Sequence, residues 1–501
     1  MRDNWFKMRL PRRFRILLLL LLWRLTSVII VQTAHVPDEY WQSLEVAHYL
    51  TFDYGYLTWE WTMMIRSYIY PFLISILYHI LAIFSLDVTF LLTILPRVFQ
   101  TVLAAYADYR FYKWTKCKWM LFVLCSNWYW YYCASRTLIN SVETVCTTIA
   151  LSIFPWKNNH VQSIQFLWIV GFLCMIRPTA AIIWFPLCLY HICSSAEKKI
   201  ALFGRYTIIC LFCFLLSILI DSYCYGKFVI TPWRFFQVNV LGSVGNIYGK
   251  EHTLWYIFVG LPVILGLYYI PFLIAVWRIL KHSVYFNREL IMLIVIGWTL
   301  FVYSLLPHKE FRFILPLLPM LIYVSSACTY RLNARITAFV RKSILALLIC
   351  SNVIPGFYFS LIHQRGTLNV IELLRYEISA NNSLSTNVLI LTPCHALPLY
   401  SHLHVNTSIK FLTCEPNFDN FNDYLDEADQ FFVNPTFWLD NNYVNNKSTI
   451  LPTYVIIFDN VVNKITNFLS RYRLIAKVFY THFPQSNYGE YILLYKHVTF
   501  I

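Results

Sequence analysis

The feature that most constrains this chain is its apolar runs, which are long enough to cross a bilayer. The first run, Ile16–Ala34, stands directly behind six basic residues: Arg2, Lys7, Arg9, Arg12, Arg13 and Arg15. It has the length of a spanning helix, roughly 20 residues, and no small-residue cleavage pattern follows it, so it reads as an uncleaved first span. Further runs lie near 68–86, 88–106, 119–134, 139–156, 161–193, 200–220, 254–277, 289–307, 313–329 and 343–362. Together they suggest about ten to twelve spans, with 161–193 divided at Arg177-Pro178. Composition agrees. Hydrophobic side chains make up 58% of the 501 residues and charged ones 13%, far from the roughly 25% charged of soluble domains.

The formal net charge is +15. Lys and Arg cluster between apolar runs, which is the pattern of membrane topology rather than of nucleic-acid binding. The positive-inside rule puts residues 1–15 in the cytosol and the loop 35–66 on the far side. After about residue 363 the long apolar runs stop. Short β-rich segments appear at Asn387–Leu391, Tyr454–Phe458, Lys477–Tyr480 and Tyr491–Tyr495, with a helical pattern over Val461–Tyr472. This predicts a small α/β domain. The three N-x-[ST] sites, Asn381, Asn406 and Asn446, all fall in it, which favours a lumenal position and N-glycosylation. Of 14 cysteines only Cys394 and Cys414 lie here. They either form a disulfide in an oxidising lumen, or Cys394 joins His395, His402 and His404 at a metal, although that spacing matches no standard zinc pattern. The expected organisation is therefore a basic N-terminus (1–15), a polytopic membrane domain (16–362) and a lumenal α/β domain (363–501).

Chemistry concentrates in the first far-side loop. Pro37 and Asp38 open a helix. On it Asp38, Trp41, Glu45 and His48 recur at three- and four-residue steps, and so would share a face. Asp38 and Glu45 would then be about 10 Å apart along the axis, which suits one base better than a paired-carboxylate glycosidase. Trp59-Glu60-Trp61 sets two aromatics around a carboxylate. That is either an interfacial belt or a surface for a sugar, whose CH face stacks while its hydroxyls need acceptors. Arg136 through Glu143, Tyr248 through His252, and His308-Lys309-Glu310-Phe311-Arg312 interrupt the apolar chain with ionisable groups. Such groups are costly at membrane depth and are functional candidates. His308, Lys309 and Arg312 are either a cytosolic basic loop or a cradle for a phosphate, to which Arg donates two parallel hydrogen bonds.

The runs Pro37–His48, Gly55–Trp61, Arg136–Thr144 and His308–Phe313 resemble the endoplasmic-reticulum mannosyltransferases that use dolichyl-phosphate mannose. Pro393-Cys394-His395, Tyr400-Ser401-His402, Asp426–Asp429 and His482-Phe483-Pro484 share in the resemblance, which extends from Pro37 to the last residue. It implies the multi-pass helical GT-C fold and, most closely, transfer of the third, α1,2-linked mannose to a two-mannose GPI-anchor precursor. The partners implied are dolichyl-phosphate mannose, the GPI precursor glycolipid and membrane lipids. The implied base is Asp38, with Glu39 second. His308, Lys309 and Arg312 would hold the leaving phosphate, with Arg136 either a further phosphate partner or a structural mate of Glu143. Trp41, Glu45, Trp59, Glu60, Trp61, Tyr248 and His252 would contact sugars. No GxxxxGK[ST], GxGxxG or DxD occurs, and a lipid-phosphate donor needs none of these; no cofactor is implied, and nothing in the sequence demands a divalent ion. Other readings are a dolichol-linked N-glycan mannosyltransferase, a fourth-mannose enzyme, or a transporter. The last is disfavoured by the absence of an internal repeat.

Overall fold

A computed structural model describes residues 11–156, 164–242, 249–282, 288–332, 337–380, 386–417, 424–445 and 450–500. The chain is a multi-pass helical membrane protein with one small sheet. It divides into two compact units: residues 1–30, 97–216 and 250–356 form one, and 31–96, 217–249 and 357–501 the other.

Among the described residues, four stretches are long and apolar enough to span a bilayer: Thr89–Thr115, Lys199–Tyr225, Tyr256–Lys281 and Ala338–Ala380. Along Lys199–Tyr225 the side chains of Ile200, Phe203, Ile208, Leu215 and Leu219 are exposed. That apolar surface calls for lipid, not water. Other apolar runs fold as shorter helices, among them Ile69–Ile83 and Ile139–Ile153. The causes are local. The run at 119–134 breaks at Asn127, whose side chain caps Trp130 N and donates to Ile264 O. The run at 161–193 divides at Arg177-Pro178 into Gln165–Ile176 and Ala180–Ser194, as its proline suggests. The apolar runs therefore do not map one-to-one onto long helices.

In the first unit, the first apolar run contains Arg24, whose Nε donates to Asp108 Oδ2 at 2.6 Å. Both side chains are essentially unexposed (0% and 1%). Trp130 Nε1 donates to Asp108 Oδ1 at 3.1 Å, and the Arg24 guanidinium lies 5.4 Å from the Trp130 ring centre. A charge in this setting survives only when paired. In the second unit, Asp221 Oδ1 accepts from Ser67 Oγ (3.0 Å) and Tyr68 N (2.9 Å), satisfying a donor at the start of helix Ile69–Ile83.

The sheet belongs to the second unit. Its strands are β1 (Asn387–Leu391), β2 (Ser408–Phe411), β3 (Tyr454–Phe458), β4 (Tyr472–Phe479) and β5 (Tyr491–His497), in the order β2-β1-β3-β5-β4. β1 runs parallel to β2 and β3, and β5 antiparallel to β3 and β4. β3 is buried along its whole length, as a central strand with both faces covered must be. One face, with Leu389, Leu391, Val455, Ile457 and Leu493, packs on Phe431, Trp438, Leu439 and Phe468. Helix Gly366–Ala380 packs on β4 and β5. A Cβ on Gly366 would lie 2.5 Å from Phe479 O, so only glycine admits this approach. β2 was not expected: Ser-Ile-Lys-Phe is an alternating edge strand with no apolar run. The expected helix over 461–472 is two short ones, Asp459–Val462 and Thr466–Leu469, and β4 starts five residues earlier than expected, at Tyr472.

Replacing Asp108 with Ala strands the Arg24 guanidinium. The expected cost is about 3–5 kcal/mol, read as a lower melting temperature of the detergent-purified protein. The double variant Arg24→Met, Asp108→Leu should recover most of it. Equal melting of Asp108→Ala and wild type would remove the pair from the stabilising set.

Candidate active site

The expected site residues fall in both units. Asp38, Glu39, Trp41, Glu45, Trp59, Glu60 and Trp61 belong to the one holding the sheet. Arg136, His252, His308, Lys309 and Arg312 belong to the other. Tyr248, Asn381 and Asn446 lie outside the described residues, while Asn406 is exposed just before β2.

The loop helix starts at Asp38, as its proline implies, but it is not uniformly α-helical. Tyr40–Leu44 is a π-helical turn, and α-geometry resumes over Glu45–Phe52. A π turn inserts one residue per turn and shifts every later side chain around the axis. The face expected to be shared is therefore divided. Asp38 and Gln42 belong to one polar cluster. Gln42 Nε2 donates to Asp38 Oδ2 at 2.6 Å and to Glu60 Oε2 at 3.1 Å, and Arg66 Nη2 donates to Glu60 Oε1 at 2.6 Å. Trp41, Glu45 and His48 instead meet residues 395–404. Trp41 Nε1 donates to His395 O at 3.1 Å. Glu45, with no exposed surface, accepts from Leu399 N (2.7 Å), Ser401 N (3.2 Å) and Ser401 Oγ (2.6 Å). His48 Nε2 lies 3.0 Å from His404 Nδ1, and His404 Nε2 lies 3.6 Å from Asp87.

The expected sugar-contacting residues are placed as follows. Glu45 is sealed, with backbone and hydroxyl donors on its carboxylate, and anchors the loop helix to residues 399–401. Trp41, Trp59 and Trp61 are core residues. Trp41 packs against His395, Tyr56 and Phe411, Trp59 against Ile65, and Trp61 against Val46 and Tyr68. Glu60 is paired to Arg66. Asp38 is partly exposed, whereas Glu39 is buried. Cys394 and Cys414 are joined as a disulfide beside His395. His402 and His404 have partners of their own: His402 meets Ser401 Oγ and the Tyr40 ring, and His404 meets His48 and Asp87. The four-residue metal set considered above does not form.

In the other unit, His308 and Arg312 converge on a residue not counted among the expected ones. Glu310 accepts two parallel bonds from Arg312 (Nε and Nη2, both 2.6 Å) and one from His308 Nε2 (2.9 Å). Burial pushes the Glu310 carboxyl up, but Arg312 and His308 outweigh it and hold it below the ordinary carboxylate range. Lys309 is turned inward onto Glu251 O and Leu306 O, so its ammonium is not presented to a phosphate. Arg136 is buried over the Tyr132 ring, 4.0 Å from its centre, with Nε on Tyr132 O. Glu143 pairs with Arg177 at 2.7 Å. The Arg177 and Arg312 guanidiniums each lie 5.5 Å from the Phe313 ring centre. His252 is exposed and bonds locally to Leu254 N.

The model of the Alg9-like mannosyltransferase family matches residues 15–404, a stretch that contains both groups. This chain belongs to that family. It is a glycosyltransferase. Among its relatives are GPI mannosyltransferase 3 of Drosophila melanogaster, 44% identical over 92% of this chain and 83% of that one, and GPI alpha-1,2-mannosyltransferase 3 of Homo sapiens, 38% identical over 94% and 85%. The fold is the GT-C fold. A crystal structure of ArnT from Cupriavidus metallidurans bound to undecaprenyl phosphate superposes with a TM-score of 0.60 over 96% of this chain and 97% of that one, at 9% identity.

Gln42, Arg66, Glu310 and Arg177 were not among the expected site residues. Gln42 stands four residues after Asp38, and Glu310 sits among cations; both signals were present. Arg66 and Arg177 gain partners only through folding.

Burial pushes His48 and His395 down to about 4 from 6.5; His404 adds to the effect at His48, and Asp38 opposes it at His395. Folded-state values below the unfolded ones mean that the unfolded chain binds more protons between about pH 6.5 and 4, so stability is lost as pH falls through that window. The melting temperature should drop between pH 7 and 5, and less steeply in His48→Gln. A flat profile would contradict neutral burial of these rings.

Proposed function

We propose that this chain transfers the third mannose, in α1,2 linkage, from dolichyl-phosphate mannose to the two-mannose GPI-anchor precursor in the endoplasmic-reticulum membrane. The observation that carries this reading is similarity along nearly the whole chain, 92–94%, to proteins named GPI mannosyltransferase 3 or GPI alpha-1,2-mannosyltransferase 3. A lumenal site is supported by the disulfide between Cys394 and Cys414 and by the exposed acceptor Asn406.

The chemistry follows from the donor. Mannose is β-linked to a lipid phosphate. The acceptor hydroxyl attacks C1 from the opposite face, the C1–O bond to phosphate breaks, and the lipid phosphate leaves with the electron pair. Inversion makes the product α-linked. The leaving group is already ionised, so the reaction needs no general acid. The acceptor's proton goes to Asp38, the partly exposed carboxylate at the head of the loop helix, which fits a base better than buried Glu39. His308 and Arg312 stabilise the departing phosphate. In the structure Glu310 fills the Arg312 fork that phosphate would use. The acceptor glycolipid and the donor both arrive from the bilayer.

Microsomes from cells lacking the protein, supplied with dolichyl-phosphate mannose, test this. Wild type should convert two-mannose GPI intermediates to three-mannose species, and Asp38→Asn, present at equal level, should fall by at least about 100-fold. A change in dolichol-linked oligosaccharides with GPI intermediates untouched would overturn the substrate. An active Asp38→Asn would overturn the base.

A further inference from the structure

The run over 68–86 has the composition of a span, but the helix it forms, Ile69–Ile83, leads to a turn that belongs with the far-side loop. In that turn Asp87 Oδ2 stands 3.6 Å from His404 Nε2, and His404 Nδ1 stands 3.0 Å from His48 Nε2. His48 is part of the loop before the helix, and Asp87 comes after it. A crossing helix would put the whole hydrocarbon core, roughly 30 Å, between the segments on either side of it. Length agrees: the helix has 15 residues, about 22 Å.

Charge supplies an independent reason. Arg110, Lys113, Lys116 and Lys118 cluster at the end of the next helix, Thr89–Thr115. With the N-terminus in the cytosol, helix Arg12–Ile30 crosses once before the loop. If Ile69–Ile83 crossed as well, Thr89–Thr115 would carry these four cations to the lumen, against the positive-inside rule. If it does not cross, they return to the cytosol.

The two faces of the helix differ. Ile69, Tyr70, Ile74, Tyr78 and Leu81 are buried, and the helix packs on Glu45–Phe52. Phe72, Leu73, Ile76, Ile80 and Ile83 are exposed, an apolar stripe at helical spacing. Exposed apolar side chains continue through the turn, as Phe84, Leu86 and Val88, to Phe90 on Thr89–Thr115. The stripe therefore joins the lipid-facing surface of a span.

We infer that helix Ile69–Ile83 lies along one leaflet without crossing the bilayer, its exposed stripe set in the lipid. That this leaflet is the lumenal one rests on the lumenal reading given above. Amphipathic helices settle in this way at the boundary between headgroups and acyl chains. Packed on Glu45–Phe52, the helix holds the loop that carries Asp38 at the level where two lipid-borne substrates present their headgroups. The bland alternative is a short spanning helix, which would put Asp87 in the cytosol, away from His404.

The test uses the full-length protein in sealed microsomes, whose cytosolic face is outward, and a membrane-impermeant maleimide. Single cysteines are added at exposed positions, Ser85→Cys, Lys116→Cys and Asn406→Cys, with the wild-type chain as background for the native thiols. Lys116→Cys should label in sealed microsomes, whereas Ser85→Cys and Asn406→Cys should label only after permeabilisation. Ser85→Cys labelled in sealed microsomes while Asn406→Cys is protected means that the helix crosses, and overturns the inference. If both label in sealed microsomes, the helix still does not cross, and it is the lumenal reading that falls. The stripe is tested by Ile76→Cys, or by Ile80→Cys if that variant does not accumulate. A thiol in lipid does not ionise, so after permeabilisation it should label at least about 10-fold more slowly than Ser85→Cys. Equal rates would overturn the lipid contact.

Discussion

The candidate site depends on a carboxylate that has no exposed surface. Glu45 would be costly to bury alone, and it is stable only because the backbone of 399–401 and the Ser401 hydroxyl close around it. Burial still pushes its carboxyl above the ordinary range despite those donors. Trp41 on His395 and His48 on His404 lie along the same line of contact. The loop helix therefore owes its placement to a segment more than 350 residues later in the chain, which precedes β2. Within this unit the sheet is a support for the loop that carries Asp38.

Inside the membrane part the same rule acts on other charges. Arg24 meets Asp108, Arg177 meets Glu143, and Arg312 meets Glu310. Each pair is the cheapest way to keep an ion away from water. The three differ in exposure. Arg24–Asp108 is sealed, whereas Arg177 and Glu310 retain some access. A sealed pair of this kind serves the fold.

Much of this was legible in the sequence. Long apolar runs announce spans because nothing soluble hides them, and β1 and β3 were readable because a doubly covered strand is a continuous apolar run. The start of the loop helix followed from Pro37. What could not be read depends on the third dimension. Nothing in the apolar run gives Arg24 its partner, Asp108, which stands 84 residues away. The π turn has no periodicity of its own, so the shared face of Asp38 and Glu45 was drawn on an α-helix that is not there. The tryptophans of the loop have the composition of a sugar platform, and only the structure shows how deeply they are packed. Edge strand β2 alternates too briefly to stand out.

The π turn also changes what kinds of alteration this loop can absorb. A substitution within Tyr40–Leu44 changes one side chain and leaves the phase of the helix intact. Losing a single residue there would let the segment relax into ordinary α-geometry with its phase kept, because the π turn holds one extra residue over nearly the same rotation, whereas relaxing to α-geometry with every residue kept would rotate everything beyond it by about 100° relative to Asp38. Either Asp38 would leave its cluster or Glu45 would leave the 399–401 backbone. In this stretch chain length carries structural information that residue identity does not. A register of this kind is counted in residues, and it can be broken without altering any side chain the chemistry uses.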